Sequence, residues 1–230
     1  MALDASKVSA DFKKVVGVGS LGTVYTGKFM EKKCAIKIYN VGVVQKEALQ
    51  ICEIASIIQH HPNVVLVHGL WYGSPANTLP NNDPALVMEH CSVSLDGYLT
   101  EIKAKGGVAA FRLAKKQKIL SDVASGMAYL HSKEIVHGGL SAKKVLLNFT
   151  GPSDDQTILA KVAGVHEMKL FQDTVMTPST SEERHRIMPP EVKNGGGDVE
   201  LTKPVDLFSF GCLIAHVVSC VNPVPSMEGA

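Results

Sequence analysis

The sequence predicts an α+β protein in two parts: a small antiparallel sheet with one helix, then a mainly helical half. Two observations carry this. From Phe12 to Tyr39, short β-rich runs (Val15-Val16, Thr23-Val24-Tyr25, Ala35-Ile36-Lys37-Ile38-Tyr39) are separated by glycines or charged turns, the pattern of a twisted antiparallel meander. Beyond Cys91 the pattern becomes helical, with Leu113, Ile119, Leu120, Val123, Ala124, Met127 and Leu130 forming an apolar stripe opposite Lys115, Lys116, Lys118 and Asp122. The change of character places a junction near Glu89 to Ser92, so the expected layout is a tail over 1–11, a first lobe over 12–90, a second over 91–221 and a tail over 222–230.

The remaining elements follow in order. Ala48, Leu49, Ile51, Cys52, Ala55 and Ile58 recur at near-helical spacing from about Gln45 to Gln59, and His61-Pro62-Asn63 ends that run. Strands are expected over Val64 to Tyr72 and Ala85 to Glu89, joined by the Pro-, Asn- and Ser-rich stretch Gly73 to Pro84. Val145 to Phe149 and Ile158 to Ala163 form a hairpin around Gly151-Pro152-Ser153-Asp154-Asp155. Gly164 to Glu191 is polar and lacks periodicity, as expected of a functional loop. A final helix runs from about Pro204 to Cys220; it is apolar nearly all round and so needs cover on every side.

Composition narrows the function classes. The 230 residues are 45% hydrophobic and 20% charged, with 23 Lys+Arg against 22 Asp+Glu, so no basic footprint points to nucleic acid or an anionic membrane. Five cysteines without a CxxC pair suggest neither a zinc site nor a disulfide framework, and the apolar runs are too short to span a bilayer. His60-His61 stand beside no Cys or carboxylate cluster and read as the end of a helix rather than as metal ligands. The expected setting is the cytoplasm.

The chemistry-bearing motifs begin at Val16-Gly17-Val18-Gly19-Ser20-Leu21-Gly22-Thr23-Val24, which fits G-x-G-x-x-G-x-V. Such glycines let backbone N–H groups approach phosphate oxygens that a Cβ would hold away. Alone, the pattern is equally a glycine-rich hairpin turn; here the glycines lie between two strands, not between a strand and a helix as a dinucleotide fold requires. Cys34-Ala35-Ile36-Lys37 then places a lysine on the next strand. His131 to His137 runs into Gly138-Gly139-Leu140-Ser141-Ala142-Lys143-Lys144-Val145-Leu146-Leu147, and Met188-Pro189-Pro190-Glu191 and Pro204-Val205-Asp206 follow.

In this order the motifs resemble those of protein kinase domains, tyrosine-kinase-like in the Leu140-Ser141-Ala142-Lys143 loop. The resemblance implies the two-lobe kinase fold, with the second lobe ending after the helix near Cys220. It implies that Val16, Gly17, Val18, Gly19, Gly22, Val24, Ala35, Lys37 and Leu146 line a nucleotide, that Met88 is the gatekeeper and that Glu89 to Cys91 form the hinge. Lys37 is expected to pair with Glu53 of the following helix, or failing that with Glu47. His137 and Val165 are expected to stack with Ile57 in an apolar column, and Asp206 to cap the backbone around His137.

Departures from the pattern decide the functional expectation. Gly139 stands where the family has its catalytic aspartate, Lys144 where it has the Mg²⁺-binding asparagine, and Gly164 where the metal-binding aspartate of D-F-G is expected; Gly138 replaces the arginine beside the base. Phosphoryl transfer depends on positioning and on charge neutralisation by the metal, so a site without those ligands loses its larger contribution, and the missing base costs about a further 10²–10⁴ in rate. The expectation is a pseudokinase that has no metal site, holds ATP without Mg²⁺, and works through a protein partner or self-association. The alternatives are a weakly active kinase using a displaced carboxylate such as Asp154, Asp155 or Asp173, and a partial product of a longer gene.

Overall fold

A computed structural model describes residues 2–19, 22–40, 44–74, 79, 84–109, 111–151, 156–165, 168–170, 175–176, 187–193, 199–200 and 202–221; for 44–49, 175–176, 191, 193 and 199–200 it describes the backbone alone. The chain divides into two compact units, Met1–His61 with Val65–Cys91, and Pro62–Val64 with Ser92–Ala230.

The first unit is an antiparallel sheet of β1 (Val8–Gly19), β2 (Gly22–Phe29), β3 (Lys32–Tyr39), β4 (Val67–Trp71) and β5 (Ala85–Glu89) in the order β1-β2-β3-β5-β4, with helix α1 (Val44–Ile57) between β3 and β4. Because side chains alternate across a strand, β3 sends Cys34, Ile36 and Ile38 to one face, where they bury with Val8, Trp71, Ala85 and Val87. The sheet begins earlier than the sequence suggests. Val8 is buried and paired to Phe29, and Leu3 N donates to Leu70 O at 2.8 Å, so residues 2–11 are tied to the sheet rather than forming a tail. β4 is correspondingly shorter than expected: Val64 forms a parallel bridge with Val162 and belongs to the second unit.

The second unit opens with β6 (Val93–Ser94) and helix α2 (Leu95–Ala104), which the sequence reading did not separate. Ser94 caps α2, its Oγ accepting from Gly97 N at 3.1 Å, and Asp96 in the first turn favours the same helix end. Helix α3 (Leu113–Ser132) follows, then β7 (Ile135–Val136), β8 (Val145–Thr150), β9 (Thr157–Val162), β10 (Lys169–Leu170), β11 (Val175–Met176), the short α4 (Pro190–Lys193), β12 (Val199–Glu200) and helix α5 (Lys203–Ser219). Gly164 to Glu191 is therefore not wholly irregular: β10 pairs with β7, β11 pairs with β12, and Met168 is buried.

One edge of β9 is completed by side chains. Asp122, placed by the sequence pattern on the polar face of α3, is buried: its Oδ2 accepts from Ala160 N at 3.0 Å and its Oδ1 from Lys118 Nζ at 2.6 Å. Asn63 Nδ2 donates to Ala160 O at 3.0 Å, and Val162 N donates to Asn63 O at 2.8 Å. These groups satisfy backbone polar atoms that would otherwise be buried unpaired. The approach of Asn63 explains a mid-helix glycine, since a Cβ on Gly126 would stand 2.4 Å from Asn63 O. The stripe on α3 is otherwise as expected at Ile119, Val123, Met127 and Leu130, but Leu113 and Ala124 are exposed.

Candidate functional site

Strand register brings the candidate residues of the first unit onto one face of its sheet. Direct cross-strand partners share a face, and the pairs Val24–Lys37, Gly17–Val24 and Ala35–Met88 place Gly17, Val24, Ala35, Lys37 and Met88 on the sheet face opposite the buried Cys34, Ile36 and Ile38. Lys37 is 9% exposed, and its Nζ stands 4.7 Å from the centre of the Tyr39 ring, a cation–π contact worth about 0.5–2 kcal/mol.

The three glycines of the loop are not equivalent. Gly22 has φ +149, and a Cβ there would fall 2.0 Å from Ile38 O, so the hairpin itself requires glycine. At Gly17 an added Cβ would meet nothing within 4 Å, and at Gly19 only Gly22 O at 3.8 Å. The fold does not require glycine at those two positions, whereas a backbone approached closely by phosphate oxygens does. Val16 and Val18 are exposed on the same strand, and β1 is irregular between Val15 and Gly17.

Glu53 is not placed as expected. It lies on the exposed side of α1, while Ile51 and Ile54 on the other side are buried, and among the described residues it enters no ion pair with Lys37. A rotation of about 200° separates positions 51 and 53 on a helix of 3.6 residues per turn. The other candidate, Glu47, precedes Ile51 by four residues and thus shares its side of the helix register; its side chain lies outside the described residues.

At the end of β5, Glu89 is engaged in structure: its Oε1 accepts from Leu66 N at 2.7 Å, and its own N donates to Leu66 O at 2.9 Å. Met88 is half-buried and Cys91 buried. Burial lowers the pKa of His68, with Glu89 opposing, and burial followed by Lys33 lowers that of His90.

In the second unit the loop after β7 is organised by one carboxylate. Asp206 of α5 is 1% exposed; its Oδ2 accepts from His137 N at 2.8 Å and from His131 Nε2 at 2.8 Å, and its Oδ1 accepts from Gly138 N at 2.8 Å. The backbone cap expected of Asp206 is thus present, and His131 is a third partner that the sequence reading missed. Gly138 has φ +67, a conformation that glycine adopts without strain. His137 is buried, and its Nε2 lies 2.8 Å from Ala163 O.

The metal-ligand positions come together but carry no ligand set. Gly139 is buried and has no side chain to act as a base. Lys144 and the residue before the D-F-G position are joined by a hydrogen bond from Ala163 N to Lys144 O at 2.8 Å, and a Cβ on Gly164 would lie 3.4 Å from Lys144 Cδ. The residues present do not fit Mg²⁺, a hard cation that takes carboxylate and water oxygens. Among the described residues no group of three or more His, Cys, Asp or Glu is arranged to hold a metal. Asp154, Asp155, Asp173 and His166 lie outside the described residues, as does the Glu191 side chain. Leu146 is half-buried on β8 opposite Lys161, and Val165 is buried.

A family model described as protein tyrosine and serine/threonine kinase matches residues 10–230. U-box domain-containing protein 34 of Arabidopsis thaliana is 28% identical over 232 residues, covering 95% of this chain and 26% of that protein. The megakaryocyte-associated tyrosine-protein kinase of Rattus norvegicus is 27% identical over 223 residues, covering 93% and 41%. The dual specificity protein kinase pyk3 of Dictyostelium discoideum is 26% identical over 215 residues, covering 93% and 14%. The chain spans less than half the length of each of these relatives.

Proposed function

We propose that this chain, which belongs to the protein tyrosine and serine/threonine kinase family, is a catalytically silent kinase-like module that binds a nucleotide without Mg²⁺ and regulates or scaffolds a protein partner. The observation that carries this reading is the composition of the catalytic corner: glycine at 139, lysine at 144 and glycine at 164, where the chemistry needs a base and two metal ligands. The open space at Gly17 and Gly19 supports retention of a phosphate cradle, with Lys37 as its cation. Glu47, on the buried side of the α1 register, is the proposed carboxylate partner of Lys37.

A signalling role in the cytoplasm fits this reading. No helix among the described residues is long and apolar enough to cross a membrane.

Two measurements test the proposal. Phosphotransfer to a generic protein substrate should be absent with ATP and Mg²⁺ or Mn²⁺, and the melting temperature should rise with ATP in the presence of EDTA. A ligand at a hundred times its Kd stabilises by about 2.7 kcal/mol, which a thermal-shift assay resolves. Metal-dependent transfer that disappears in Lys37→Met would show the chain to be an enzyme.

A further inference from the structure

A second concavity lies wholly within the second unit, between α2, the start of α3 and the β8–β9 hairpin, and it shares no residue with the nucleotide or metal positions above. Its volume is about 320 Å³, at the small end of the range for small-molecule sites. Tyr98 and Glu101, three residues apart on one side of α2, form one wall. Phe149 and Ile158 are cross-strand partners, so they share a face of the hairpin and form another. Ring contacts hold the aromatic part in place: Tyr98 meets Phe111 edge-on at 5.8 Å and Phe149 at 5.5 Å between ring centres. Tyr98 and Phe149 are both half-buried, so each keeps part of its surface for a further contact, and the exposed Lys115 and Gln156 stand at the rim.

The charge at this rim is positive and not offset. Lys115 lies in the first turn of α3, which has no acidic residue there and no side-chain cap, so its ammonium adds to the positive end of the helix dipole. Its neighbour Lys116 is committed elsewhere, with Nζ donating to Val218 O at 2.7 Å and lying 5.2 Å from the Phe111 ring centre. Glu101, a carboxylate on the cavity wall, is already paired with Lys105. Among the described residues Lys115 enters no ion pair. We infer that this cavity is a binding site for a small aromatic carboxylate, with its ring against Tyr98 and Phe149 and its anion on Lys115. Half-buried aromatic surface favours a flat ring, and a single ammonium matches a single negative charge. A phosphate ester carries more charge than one lysine offsets, and Glu101 on the same wall would repel it. Burial and then Glu101 raise the pKa of Tyr98, so its hydroxyl stays neutral and remains a hydrogen-bond donor, as does the Gln156 amide.

The test is titration of the full chain with naphthoate and with its neutral analogue naphthylmethanol, followed by amide shifts in the nuclear magnetic resonance spectrum. A probe of this size in a fitted cavity should bind with a Kd of about 1 mM or tighter, and the shifts should centre on Ser92, Val93 and Gln156. Loss of the charge-assisted hydrogen bond in Lys115→Gln should weaken naphthoate binding by about ten-fold or more. Naphthylmethanol should bind both forms alike, and Lys115→Arg, which keeps the charge, should retain most of the naphthoate affinity. No binding at millimolar naphthoate, shifts centred elsewhere in the chain, or equal naphthoate affinity in the wild type and Lys115→Gln would each overturn the inference. If Lys115→Gln does not fold, the wild type decides: a preference of about ten-fold for naphthoate over naphthylmethanol supports the site, and equal affinity overturns it.

Discussion

Replacing Asp206 by alanine should destabilise the second unit more than any other single truncation of a polar side chain in it. The carboxylate is 1% exposed and serves three donors, the backbone N–H groups of His137 and Gly138 and the ring nitrogen of His131, each at 2.8 Å. Both backbone donors are buried, so alanine leaves two N–H groups unsatisfied at about 1–3 kcal/mol each. Loss of the half-buried His131 contact adds about 1 kcal/mol, for a total near 3–7 kcal/mol, a large part of the roughly 5–15 kcal/mol that stabilises a typical domain. Asparagine rescues little, because its amide NH₂ would face one of the two N–H groups. Urea unfolding followed by circular dichroism reads this as a fall in midpoint of about 1.5–3.5 M for slopes near 2 kcal/mol/M. The single tryptophan, Trp71, is buried in the first unit and gives a separate fluorescence signal for that unit. A loss below about 1 kcal/mol in Asp206→Ala would refute the claim that this carboxylate organises the loop.

Gly126→Ala and Gly211→Ala should have opposite signs although both lie within helices. At Gly126 the added Cβ meets Asn63 O at 2.4 Å and overpacks by about 1–3 kcal/mol, more than the roughly 1 kcal/mol of helix propensity it gains; at Gly211 it meets nothing within 4 Å, so only the gain remains. Melting temperatures of the two variants check both signs. Stability should fall as pH drops below about 6.5, because burial lowers the pKa of His68, His90 and His216 from the ordinary 6.5. The unfolded chain then binds more protons than the folded one, and a midpoint that does not fall between pH 7 and pH 5 would contradict this. Cys34, its thiol pushed up to about 11 by burial, should resist alkylation at pH 8 until the protein unfolds, which mass spectrometry after iodoacetamide would show. Leu207→Glu with Val218→Lys should reduce self-association measured by light scattering, since these residues are 64% and 53% exposed on one side of α5.

The parts legible in the sequence were those where a local pattern and the tertiary fold agree. The glycine pattern, the Lys37 strand and the β8–β9 hairpin announce themselves by alternation and turn residues; the hairpin strands lie within a residue of their expected places, and the Lys37 strand starts three residues earlier than expected, at Lys32. The failures have a common cause, which is that a partner distant in sequence decides the outcome. Asp122 reads as a surface residue beside three lysines until Ala160, 38 residues away, supplies an N–H for it. What separates Glu53 from Glu47 is the phase of α1, which is set by which side of that helix is buried and not by the local sequence. The short pairs β7–β10 and β11–β12 are two residues per strand, too few for any period to register. On α5 the sequence gives nearly uniform hydrophobicity, and the structure divides it, burying Val205, Leu213 and Val217 and leaving Leu207, Phe208, Ile214 and Val218 exposed.

The polar residues that remain at the family's positions and those that were replaced differ in what their loss would do to the fold. Asp206 satisfies buried backbone donors, so its removal costs stability whether or not the protein catalyses anything. Positions 138 and 164 have backbone conformations that glycine adopts more easily than any other residue, with φ +67 and +106. An arginine at 138 or an aspartate at 164 would add about 1–2 kcal/mol of strain, repaid in an active enzyme only by the chemistry. In the catalytically silent module proposed above, glycine at these two sites is the lower-energy choice, while Asp206 keeps its structural role. Restoring arginine at 138 and aspartate at 164 should therefore lower the melting temperature. A double variant as stable as the wild type would show that the two glycines do not relieve strain.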